Sequence, residues 1–125
     1  MTPTKQTKFG AGEGNCLNAC LASLFDVPIE NTPDFSKMRG LWVTGFLRFI
    51  KKMGYEYVGT GKADEVAETK GYVIVCGVSP RNLMHSVIYL DGKPFHDPHP
   101  SNEFLTEVRY FYMIEKTGGA LKEDD

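Results

Sequence analysis

Several large classes of protein are excluded by what the 125-residue chain lacks. No apolar run approaches the roughly 20 residues that cross a bilayer. The opening MTPTKQTKFG lacks the apolar core of a secretion signal. A membrane partner is therefore not expected, and the protein is expected to be soluble and cytoplasmic. There is no run of basic residues either: 14 Lys and Arg against 16 Asp and Glu leave a net charge of −2. Nothing here would neutralise a series of phosphates, which argues against a nucleic-acid partner. Cysteine is scarce and odd in number, with three in all. Two of them, Cys16 and Cys20, lie four apart on a helical stretch, where a disulfide would be badly strained, so the thiols are expected to be reduced. No internal repeat or linker interrupts the chain. Its length suits one core, so residues 1–125 are expected to form a single domain.

What is present divides into clear segments. Residues 1–14 hold three glycines and little periodicity, and so suggest an arm or loop. Asn15 is a good N-cap for a helix over 16–25, where only Asn18 and Ser23 are polar; a helix apolar on nearly every side belongs inside a fold. The two prolines of DVPIENTPDF end it. Trp42, Phe46, Phe49, Ile50 and Met53 recur at helical spacing, with Gly54 placed to stop the helix. YEYVG suggests a short strand, and GKADEVAETK a loop or a weak helical turn. Residues 72–79 and 85–90 are apolar on both faces, as interior strands are. EVRYFYMIEK alternates as a last strand before a tail at 117–125. The predicted class is α+β: a buried N-terminal helix packed on an antiparallel sheet.

Position singles out Cys16 chemically. At the first turn of a helix, free N–H groups and the helix dipole favour negative charge, so a thiol there ionises readily. The Cys16 N–H has no helical partner and is free to steady an oxyanion. A thiolate nucleophile needs an imidazole, and the imidazole needs an acceptor on its second nitrogen. His85 opens an apolar strand, and Asp97 lies on the return of the hairpin turning at Asp91 and Gly92. A two-residue loop would put Ser86 opposite Asp97 and turn His85 away. A three-residue loop of Leu90, Asp91 and Gly92, closed by a G1 bulge, makes His85 face Asp97 directly, and this loop is the expectation. His96 follows the opposite parity, and His99 falls past the paired region. Cys20 and Cys76 are expected to serve packing.

CLNACLA at 16–22, HSVIY at 85–89 and the Asp97-Pro98 dipeptide resemble the cysteine peptidases that remove double-glycine leaders from bacteriocins, and more broadly the papain-like superfamily. The resemblance implies a papain-like fold, hydrolysis of a peptide or isopeptide bond, a peptide or protein substrate and no cofactor. It also implies a glutamine upstream of the cysteine as oxyanion donor, and Gln6 is the single glutamine of the chain. The tail carries a double glycine of its own, Gly118-Gly119; self-trimming after Gly119 is conceivable, but a flexible exit from the last strand is the expectation. Three other readings stand beside this one. The scaffold could be a binding module without turnover, or the same triad could serve a deamidase, amidase or transglutaminase. A zinc site fits poorly, because His96 and His99 are too close together and too remote from the cysteines.

Overall fold

In the computed structural model, which describes residues 1–117, the apolar stretch after Asn15 forms helix α1 (Cys16–Phe25), and residues 18–23 of it are buried. The helix stops where Asp26 takes a left-handed φ of 56° just ahead of Pro28. Residues 27–41 wind through three short 3-10 turns into α2 (Trp42–Lys52). Phe46, Phe49 and Ile50 form the buried face of α2, and Lys51 and Lys52 sit at its carbonyl end, where positive charge is favourable.

Five strands follow: β1 (Tyr55–Lys62), β2 (Tyr72–Val78), β3 (Met84–Leu90), β4 (Lys93–His96) and β5 (Glu107–Lys116). They form an antiparallel sheet in the order β1-β5-β2-β3-β4. β1 runs past the short YEYVG segment because β5 offers it partners as far as Tyr110. The stretch between β1 and β2 holds a 3-10 helix, Ala63–Glu68. α1 lies over β3 and α2 over β1. Cys20, Leu21, Phe46 and Ile50 from the helices meet Ile74, Cys76, Ile88 and Tyr112 from the sheet. A second cluster buries Val75, Val87, Tyr89 and Phe111 beneath Val66, Phe104 and Leu105. β2 and β3 are thus covered on both faces, which is why their sequences do not alternate. Among the described residues no helix is long and apolar enough to cross a membrane.

The hairpin that carries His85 and Asp97 differs from expectation. Leu90 pairs with Lys93, so the loop is Asp91-Gly92 alone, not the three-residue loop. Both residues have positive φ, 51° and 81°, the signature of a type I′ turn, whose twist matches that of the flanking strands. The Asp91 N–H donates to the Gly71 carbonyl at 3.1 Å, and its Oδ1 accepts the Gly71 N–H at 2.8 Å. A Cβ on Gly92 would run into the Ala67 carbonyl. The extra residue goes into the return strand instead. Tyr89 pairs with Pro94 and Ile88 with His96, leaving Phe95 as a bulge. One extra residue reverses the side-chain parity beyond it, so Asp97 comes to the His85 side after all.

Beyond β5, Thr117 bonds the Gly54 carbonyl through its N–H and its hydroxyl, at 3.0 and 3.1 Å. The rest of the expected tail, with Gly118-Gly119, lies outside the described residues.

Candidate active site

Cys16 is the first residue of α1, as its neighbours in sequence suggest. Asn15 stands at the N-cap position but does not cap: its side chain makes no bond to the helix. Its Oδ1 accepts the N–H groups of Thr7 and Lys8, both at 2.9 Å, and its Nδ2 donates to the Thr7 hydroxyl at 2.8 Å. The arm thus wins the acceptor that local propensity assigns to the helix. The first-turn N–H groups next to the thiol carry no side-chain cap, and the positive end of the helix dipole is left to act on sulfur.

His85 and Asp97 are buried, with 5% and 1% of their surface exposed. The ring Nε2 donates to Asp97 Oδ1 at 2.7 Å, which leaves Nδ1 for the thiol. Asp97 Oδ1 also accepts the His99 N–H, and Oδ2 the Phe104 N–H, each at 2.9 Å. Burial opposes ionisation of this carboxyl, but the His85 bond and the two backbone donors outweigh it and hold the group at about 2. Burial likewise disfavours charge on His85, yet Asp97 and Cys16 raise the imidazole to about 9. Burial would raise the Cys16 thiol. Hydrogen bonding to His85, its positive charge, and the N–H and hydroxyl of Ser86 bring it below its ordinary value instead. The three groups share one electrostatic system in which thiolate, imidazolium and carboxylate stabilise one another.

The N-terminal arm straps α1 to the segment carrying Asp97. The Thr2 and Thr4 N–H groups bond the Ser23 carbonyl and hydroxyl at 3.0 and 2.8 Å. His96, turned away from Asp97 as its parity predicts, bonds the Thr4 carbonyl through Nε2 at 2.7 Å. Lys5 Nζ donates to the carbonyls of Asp97 and His99 at 2.8 and 3.2 Å. The Gln6 N–H donates to the Pro98 carbonyl at 3.0 Å. Gln6 is itself buried, with Nε2 donating to the Lys8 carbonyl at 2.9 Å; its Oε1 has no partner among the described residues. Gln6, Cys16 and His85 line one cavity of about 1020 Å³, walled by residues 7–14 of the arm, the loop after α1 and residues 79–84. Asn18 holds that loop in place by donating from Nδ2 to the Thr32 hydroxyl at 2.9 Å.

Comparison with family models, curated proteins and solved structures finds no match to this chain. What the site can do follows from its own geometry. Cys16, His85 and Asp97 are brought together, and Gln6 lines the same cavity. Cys20 and Cys76 are buried in the core; burial pushes the first thiol well up and the second to about 11, so both stay protonated. Among the described residues no group of three or more His, Cys, Asp or Glu side chains is arranged to hold a metal ion. Sequence reasoning passed over Ser86, whose hydroxyl lies 3.4 Å from the Cys76 sulfur and whose N–H and hydroxyl help to lower the Cys16 pKa. Its signal was a small polar residue inside an apolar strand. It also set His99 aside as lying past the paired region. The ring of His99 in fact lines the cavity, edge-on to Phe9 at 5.5 Å and to His85 at 6.2 Å.

Proposed function

We propose that the chain is a papain-like, thiol-dependent hydrolase that cleaves a peptide or isopeptide bond through an acyl-enzyme. The observation that carries this reading is the His85 ring, buried between a carboxylate with three donors and the Cys16 thiol at the cavity wall. Cys16 thiolate attacks the carbonyl carbon, and the oxyanion is steadied by the Cys16 N–H and the second N–H of Gln6 Nε2. His85 gives its proton to the departing amine as the C–N bond breaks, leaving a thioester. Water, deprotonated by His85, attacks the thioester, and the acid leaves as thiolate and imidazolium are restored. Asp97 holds the ring and its charge without accepting a proton. The steps use no cofactor. Release to an amine in place of water would make the same site a transglutaminase, and attack on a side-chain amide a deamidase.

Alkylation with iodoacetamide, with the modified residue mapped by mass, tests the reading. Cys16 should react at least tenfold faster at pH 6 than Cys20 or Cys76, and His85→Ala should remove most of that advantage. Equal, slow labelling of all three thiols would leave a scaffold without a nucleophile.

A further inference from the structure

The cavity wall beside the imidazole carries two donors that the reaction above does not use. His99 is fixed by its own loop: its Nδ1 accepts the Ser101 N–H at 3.0 Å. In the neutral ring the proton must then sit on Nε2, for which no protein acceptor is found among the described residues. Burial, and then the positive charge of Arg81, keep this ring below its ordinary pKa, so it is a neutral donor at physiological pH. Arg81 lines the same cavity. Its Nη1 is steadied by the Ser101 hydroxyl at 3.2 Å, and its nearest carboxylate, Glu103, is half-exposed and 3.9 Å away. A pair that long and that wet neutralises little of the guanidinium charge. The acidic residues on the cavity, Glu13, Glu30 and Asp34, come from other segments, the arm and the loop after α1. Lys8, the other cation on the cavity, stands on the arm and is offset by Asp34 across from it, so a negative group entering the cavity is drawn chiefly to the Arg81 end.

We propose that Arg81 and His99 form a carboxylate-binding subsite next to the reacting thiol, so that the preferred substrate bears a carboxylate close to the scissile amide. This rests on the hydrolase reading. The guanidinium and the His99 Nε2–H can take the two oxygens of one carboxylate, and because His99 stands 6.2 Å from His85, ring to ring, that carboxylate would lie within a residue or two of the bond under attack. The carboxylate can come from an Asp or Glu side chain or from a chain terminus.

Two probes of Cys16 test the subsite without needing a substrate. Iodoacetate and iodoacetamide both lose iodide to the thiolate, and only the first carries a carboxylate. The ratio of their second-order rates should fall three- to tenfold in Arg81→Gln and in His99→Gln, and Arg81→Lys should recover part of it. A ratio that neither substitution moves overturns the proposal. A thiol at 16 that meets both reagents at free-thiol rates at pH 6 overturns the hydrolase reading instead, while the ratio still decides the subsite. Matched peptides then separate the two sources: Asp against Asn beside the cleaved bond, and free against amidated C-terminus. A preference for either acid that Arg81→Gln abolishes supports the subsite. Equal kcat/KM across all four peptides refutes it.

Discussion

Replacing Asp97 with Asn changes one atom and isolates the charge that holds His85. Two losses add. The first is independent of pH: the carboxylate accepts bonds on both oxygens, from His85 and the His99 N–H on one and the Phe104 N–H on the other. An amide offers one oxygen, so its NH2 must face a donor, at about 1–3 kcal/mol for the unmade buried bond. The second loss depends on pH. His85 is raised from 6.5 to about 9, and Asp97 is the first contributor to that rise. At about 1.4 kcal/mol per pKa unit, up to about 3 kcal/mol of stability rides on the proton. Because the folded pKa lies above the unfolded one, this share is complete below pH 6.5 and is lost as pH rises through about 9. The carboxyl works the other way: held at about 2 against 3.8, it contributes above 3.8 and loses its share as pH falls towards 2. The wild type should therefore exceed Asp97→Asn by up to about 4–6 kcal/mol at pH 5.5 and by only about 1–3 at pH 9.5. Urea denaturation followed by circular dichroism at both pH values measures the difference. A gap of the same size at pH 5.5 and 9.5 would show that Asp97 does not hold a proton on His85.

The same coupling fixes the pH profile of Cys16 in the wild type. Alkylation by iodoacetamide should reach a plateau below the ordinary thiol pKa and change again near pH 9, where the imidazolium is lost; His85→Ala should replace this with a single late rise, because burial then acts unopposed. Gly92→Ala should cost about 2 kcal/mol or more in urea denaturation, since it puts a Cβ at φ 81° against the Ala67 carbonyl; a loss below about 0.5 kcal/mol would mean that the hairpin tip is not held as described.

Helix and strand types were legible because burial writes itself into the chain. α1 is apolar all round because it is enclosed, and β2 and β3 do not alternate because both faces of the sheet are covered. The pairing of His85 with Asp97 was legible only as a parity requirement. Either of two devices meets it: three residues in the loop, closed by a G1 bulge at Gly92, or two in the loop with one residue bulged out of the return strand. Asp-Gly favours two in the loop, and the surplus residue then has to leave the ladder at Phe95, a choice that strand composition does not record. Asn15 shows the limit of local rules in another way. Its place before the helix predicts a cap, but Thr7 and Lys8, brought back by an arm whose path depends on Ser23 and Pro98, claim its oxygen first. His99 was set aside because nothing in HDPHP says that the loop folds back onto the cavity.

Gln6 offers the sharpest separation of function from folding. Its Nε2 is tied to the Lys8 carbonyl, while Oε1 is buried and has no partner among the described residues. A buried acceptor left unpaired costs about 1–3 kcal/mol, and the one bond the amide makes returns about 1. For folding alone, an apolar side chain of the same shape is as good or better. An oxyanion donor needs the opposite: an amide fixed in advance, with one N–H spent on Lys8 to orient it and the other left for the transition state. Gln6→Met should therefore leave stability unchanged or raise it by up to about 2 kcal/mol, while lowering kcat by about a hundredfold or more with little change in KM. Melting and steady-state kinetics on the same preparation measure both. A variant that loses stability and keeps its kcat would make Gln6 a structural residue of the arm and leave the oxyanion to the helix N-terminus alone.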